Sequence, residues 1–142
     1  MQPTARHAES GFTIIEFLVA ILILSVGLLG LLTTLEYSMR YNMSNKMRDH
    51  SVVLAEQFLA EARSTSLNTL AAVNTTRQVQ VAATQVTYTI VTTVTQESTW
   101  TNPNTGLPEP LTVRFEILVT WPERGVVKQH GVSALISNNQ AS

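Results

Sequence analysis

Cysteine is absent from the 142 residues, which excludes disulfides and thiolate metal sites and leaves the redox compartment unmarked. Bases are scarce too. Nine Lys and Arg against ten Asp and Glu give a net charge of −1, too little for any face to gather the excess that binds nucleic acid. A Gly-rich phosphate loop, a nucleophile elbow and a paired-carboxylate motif are also missing. His7, His50 and His130 are scattered, none with a partner at metal-ligand spacing. Neither enzymatic chemistry nor a cofactor is therefore expected. Charge is lacking in one more place: between Gly11 and Leu35 the only charged residue is Glu16.

That stretch organises the chain. It reads Gly-Phe-Thr-Ile-Ile-Glu-Phe-Leu-Val-Ala, then Ile-Leu-Ile-Leu-Ser-Val-Gly-Leu-Leu-Gly-Leu-Leu-Thr-Thr-Leu. From Phe12 to Leu35, about 24 residues reach about 36 Å as an α-helix, enough for a hydrocarbon core of about 30 Å. About 16 Leu, Ile, Val and Phe residues favour insertion by about 5 to 10 kcal/mol. One carboxylate opposes it by about 3 kcal/mol at mid-bilayer, and by less near an end, where Glu16 sits. Membrane lipid is thus an expected partner, and an intramembrane carboxylate is a candidate functional group, set against the plainer reading of a Glu that snorkels. A cleaved secretory signal fits poorly, because the apolar run is too long and Ser25, Gly27 and Gly30 offer no Ala-x-Ala stop.

Gly11-Phe12-Thr13-Ile14-Ile15-Glu16 followed by an uninterrupted apolar helix resembles the class III signal of type IV pilins and pseudopilins. The resemblance implies that prepilin peptidase cuts after Gly11 and methylates the new N-terminal residue, Phe12. It also implies that Glu16 attracts the N-terminal amine of a neighbouring subunit during assembly. The chemistry is consistent with those roles: Gly11 lets the backbone approach a protease closely, and an amine and a carboxylate each lower the other's cost in a low dielectric. The run Leu24-Ser25-Val26-Gly27-Leu28-Leu29-Gly30-Leu31 is similar to minor pilins of the PilV kind. Implied partners are other major and minor pilins and the inner-membrane assembly platform.

Gly27 and Gly30 carry two readings. Their three-residue spacing is not the Gly-x-x-x-Gly dimer period, but two glycines make this the easiest place for the helix to loosen, each costing up to about 1 kcal/mol relative to Ala. Many major pilins place a helix-breaking proline shortly after this region, where this chain has Thr33 and Thr34.

Since no Pro or Gly occurs between Leu31 and Ser64, the helix is expected to continue to about Arg63. Leu35, Met39, Met43, Met47, Leu54 and Phe58 form one apolar stripe, with Lys46, Asp49, Glu56 and Arg63 roughly opposite and Tyr37, Tyr41 and Leu59 on a flank. The methionines read as adaptable core filler. Ser64-Thr65-Ser66, Asn68 and Asn74-Thr75-Thr76 mark a polar connection. Asn42-Met43-Ser44 and Asn74-Thr75-Thr76 match the glycosylation triplet but read as solvated surface.

The period then changes to two. Val86, Tyr88, Ile90, Thr92 and Val94 share one face of a strand, and Val79 and Val81 begin a shorter one before it. Residues 101–110, with three prolines, read as an irregular loop. Leu111, Val113, Phe115, Ile117, Val119 and Trp121 make the clearest strand. Pro122-Glu123-Arg124-Gly125 reads as a turn, and Val126 to Ile136 as a last strand in which Gly131 marks a bulge. The tail from Ser137 is expected to be loose.

The expected fold is α+β, matching the pilin fold that the resemblance implies: a long N-terminal helix, one half in membrane and one half amphipathic, packed on a small antiparallel sheet. Its expected divisions are a leader at 1–11, a membrane and assembly helix at 12–35, an amphipathic half at 36–64 and a sheet domain at 65–142. The function implied is a minor pilin, with a type II secretion pseudopilin as alternative. A different class also stays open: a monomeric anchored module binding a ligand at its strand edges or at the loop following Trp100. Orientation follows the resemblance, with the N-terminus cytoplasmic and the sheet periplasmic. The bias of bases leans the other way, as Arg6 precedes the span while Arg40, Lys46 and Arg48 follow it.

Overall fold

The computed structural model describes residues 12–137, so Gly11 with the rest of the leader, and the tail beyond Ser137, lie outside the described residues. One helix, α1 (Ile14–Ser64), is followed by a short 3-10 turn (Leu67–Thr69) and four strands: β1 (Asn74–Val81), β2 (Thr84–Thr101), β3 (Pro108–Glu123) and β4 (Val126–Ser137). The strands form one antiparallel sheet in the order β1-β2-β3-β4, each paired with its neighbour in sequence. The expected α+β architecture is therefore present. By compactness the chain divides into two units after Tyr41.

The core belongs wholly to the second unit. Tyr88, Ile90 and Val119 are fully buried, with Val81, Val86, Val113, Phe115, Ile117, Trp121 and Ile136 around them. These are the alternate positions that period-two patterning selects. The helix contributes Met47, Ser51, Ala55 and Ala62, all buried on one face. Here the structure corrects the expected stripe. Leu35 and Met39 are 53% and 63% exposed and lie in the first unit, while the most deeply buried helix residues are Ser51 and Ala55, both at 0%. Met43, Leu54, Phe58 and Leu59 are partly buried and pack against that core. Leu59, assigned to a flank by spacing, joins the core margin; Tyr37 and Tyr41 remain exposed.

Details of the strands also differ from expectation. Asn74-Thr75-Thr76 is the start of β1, not a connection: Asn74 pairs with Val91 and Thr75 with Ile90. Tertiary pairing overrides weak β-propensity there. Of the predicted loop 101–110, residues 108–110 open β3 and pair with Thr101, Trp100 and Thr99. Two prolines are tolerated because β4 pairs with β3 only from Thr112 onward, so this end of β3 is an edge. The Asn102 N–H donates to the Leu107 carbonyl, so alternation turns the amide positions of Pro108 and Pro110 away from β2.

The predicted four-residue turn shrinks to two, Arg124 and Gly125, since Glu123 pairs with Val126. Both have positive φ, 52° and 78°, which gives the twist that suits a tight hairpin. Gly131 marks no bulge, because the β3–β4 register is unbroken; it faces Leu118, whose Cδ1 would lie 3.9 Å from an added Cβ. The irregularity falls instead between Gln96 and Thr99, where Glu97 leaves the ladder and pairs with Arg114 at 2.7 Å.

Candidate functional site

The helix N-terminus is built by Thr13. Its carbonyl accepts from the Glu16 and Phe17 N–H groups, both at 3.1 Å, and its Oγ1 accepts from the Glu16 N–H at 3.3 Å. Thr13 therefore caps α1, satisfying donors that a helix start leaves without partners. Glu16 stands at the third helical position of a Thr-x-x-Glu capping pattern, and its carboxylate lies at the positive end of the helix dipole. One structural role thus coincides with the position singled out as functional. Thr13 was missed by a reading focused on apolar length; its signal was the Thr-x-x-Glu spacing before an apolar run.

Around Glu16 the surface is apolar and uncovered. Phe12 is 73% exposed, and Ile14, Ile15, Phe17 and Leu18 are exposed as well. No residue of the most apolar 18-residue window of α1 is buried within the structure, and the helix is long and apolar enough to cross a membrane. In water such a surface would be a strong liability; in lipid it is matched to its solvent. Of the expected site residues, Phe12 lies just before α1 and Glu16 in its first turn, while Gly11 is outside the described residues.

Further along, α1 runs through Gly27 and Gly30 without a break, and a Cβ added at either would meet nothing within 4 Å. The hydroxyls nearby are satisfied by the helix itself: Ser25 donates to the Ile21 carbonyl at 2.8 Å, Thr33 to those of Leu29 and Gly30 at 2.9 Å, and Thr34 to that of Gly30 at 2.9 Å. Internal bonding removes the cost of placing these groups in lipid. It also loads one carbonyl, Gly30, with two hydroxyl donors, and such back-bonding is a known cause of helix bending.

In the second unit the buried polar groups hold the fold. Tyr88 donates its hydroxyl to the Met47 carbonyl at 3.0 Å and lies beside Trp121, ring centres 6.0 Å apart. Burial pushes its pKa from 10.0 to about 12. Thr92 locks the start of β1: its N–H donates to the Val73 carbonyl and its Oγ1 accepts from the Val73 N–H, both at 2.8 Å. Between β2 and β3, the Asn102 side chain donates to Glu109 at 2.8 Å and accepts from the Asn104 N–H at 2.9 Å, so the connection after Trp100 spends its polar groups on itself. Among the described residues no group of His, Asp and Glu is placed to hold a metal ion.

Residues 6–32 match the family model described as the prokaryotic N-terminal methylation motif. No curated protein and no solved structure matches the chain. The matched segment covers Phe12, Thr13, Glu16 and both helix glycines, the same apolar surface described above. By that match the chain carries the prokaryotic N-terminal methylation motif on an N-terminal helix long and apolar enough to cross a membrane.

Proposed function

We propose that the chain is a minor pilin of the PilV kind, a structural subunit that enters a type IV pilus near its tip or in the complex that primes assembly. In this reading prepilin peptidase cuts after Gly11 and methylates Phe12. The precursor sits in the inner membrane with its N-terminus in the cytoplasm and residues 42–137 in the periplasm. Assembly then draws α1 from lipid into lateral contact with major and minor pilins at the inner-membrane platform. Glu16 pairs with the amine of a neighbouring subunit, and Gly27 and Gly30 supply the loosest part of the helix.

The observation that carries this reading is the methylation motif lying on a capped helix whose apolar surface has no cover of its own. A helix with that surface needs either lipid or other helices, and one carboxylate near its start sets where an amine is best received. Mass spectrometry of membrane-extracted protein should find an N-terminus at Phe12, heavier by one methyl. Intact Met1 in cells that contain the peptidase would sink the proposal. Glu16→Ala should block entry into the fibre while leaving membrane insertion intact; a lone anchored binding module would function unchanged. A pseudopilin shares the signal, and the two are separated by deletion: loss of pili supports the proposal, whereas loss of secretion with pili intact supports the alternative.

A further inference from the structure

Of the three tyrosines, Tyr88 is buried in the core, while Tyr37 and Tyr41 are 73% and 64% exposed. Those two lie on α1 in the first unit, before every residue of the core cluster and its margin. Four residues apart, they share one helix face. Beside them Arg40 pairs with Glu36, both side chains more than half exposed, so the two charges cancel and the phenols are left to choose a surrounding. Tyr37 and Tyr41 follow Leu35, the last residue of the apolar run, by about 3 Å and about 9 Å of helix rise. A headgroup layer adds roughly 5–8 Å outside each edge of a hydrocarbon core. Side chains lean toward the N-terminus of their helix, which carries both phenols back toward the run.

We propose that Tyr37 and Tyr41 anchor α1 in the phospholipid headgroup layer and so set the depth of the helix. The inference rests on the membrane placement of the proposed function and adds which groups fix the register within lipid. A phenol suits that layer because its ring is apolar and its hydroxyl needs a hydrogen-bond partner. The need for an anchor comes from length: a run of about 36 Å against a core of about 30 Å leaves about 6 Å of play. With Leu35 held at one edge, about 20 residues cross the core, and counting them back reaches Glu16. The carboxylate then stands at the far edge, within reach of water. A run that centred itself instead would move about two residues, roughly 3 Å, and draw Glu16 into the core. Phe12 and Phe17 at the opposite end lack a hydroxyl, so the depth is held from the tyrosine end.

The natural chain has no cysteine, so single thiols can report depth in the full-length protein, placed in vesicles of phosphatidylethanolamine and phosphatidylglycerol. Spin labels at Ser25→Cys and Ser38→Cys are read by their relative exposure to oxygen and to a water-soluble nickel complex. The Ser25 label should lie near the bilayer centre and the Ser38 label in the headgroup layer. Tyr37→Ser with Tyr41→Ser should move the Ser38 label outward by roughly 3 Å, whereas Tyr37→Trp with Tyr41→Trp should leave it in place. A Ser38 label that stays put with both tyrosines replaced by Ser would overturn the anchor and leave the membrane placement intact. A Ser25 label outside lipid would overturn both. A Ser38 depth that shifts with the ratio of protein to lipid would assign the tyrosines to a second copy, and the anchor would fall.

Discussion

Thr92 is a buried polar residue at 2% exposure whose backbone and side chain both bond Val73. Thr92→Val keeps the shape and removes the acceptor, leaving the Val73 N–H without a partner at the start of β1. The expected loss is about 1–3 kcal/mol, measured by urea unfolding. Tyr88 makes a second prediction, in alkali. Its pKa is 10.0 unfolded and about 12 folded, so the folded state holds the proton longer. Stability from this group is complete below pH 10 and falls between pH 10 and 12, by an amount on the order of 2 kcal/mol. Tyr88→Phe should abolish that alkaline step and cost about 0.5–1.5 kcal/mol at neutral pH through the lost bond to Met47.

Among the elements, α1 shows what a sequence pattern can and cannot say. Its existence and length were legible, because no Pro or Gly interrupts it after Gly30 and its first half is uniformly apolar. Its buried face was only half legible. Hydrophobic patterning weights the large residues, so it chose Met43, Met47, Leu54 and Phe58 and passed over Ser51 and Ala55, which are small but fully buried. Ala55→Leu should therefore be worse than its hydrophobicity suggests, overpacking the seam at a cost of about 1–3 kcal/mol in unfolding free energy. The strands show the same division. Alternation placed the core rows of β2 and β3 correctly, but their ends depend on neighbours: Pro108 and Pro110 enter a strand because β4 stops short, and Gly131 stays regular because Leu118 lies against it. At the N-terminus, Gly11, Phe12 and Glu16 were legible as a motif, whereas the Thr13 cap needed the geometry of one hydrogen bond.

For the whole molecule, the division after Tyr41 separates a helix segment with no buried side chain among its described residues from the unit that holds the core. Every residue of the core cluster and its margin lies at Met43 or later, so the second unit draws no cover from the membrane segment. A fragment beginning at Asn42 should therefore fold cooperatively in water, and its melting midpoint should lie within a few degrees of that of the full chain in detergent. A molten fragment, with helix signal but no cooperative transition, would show that the anchor contributes to the core. The first unit has the opposite character, with apolar side chains exposed from Phe12 to Leu35 and bonding needs met inside one helix.

The strand order has a bearing on synthesis. Because each strand pairs with the one made just before it, and the β1–β2 and β3–β4 connections are only two residues long, no hydrogen-bonded partner is separated by a long wait. Short separations between contacting residues speed folding. A chain held at one end in a bilayer and delivered in order can thus zip its sheet hairpin by hairpin, closing one edge of each new strand as it emerges.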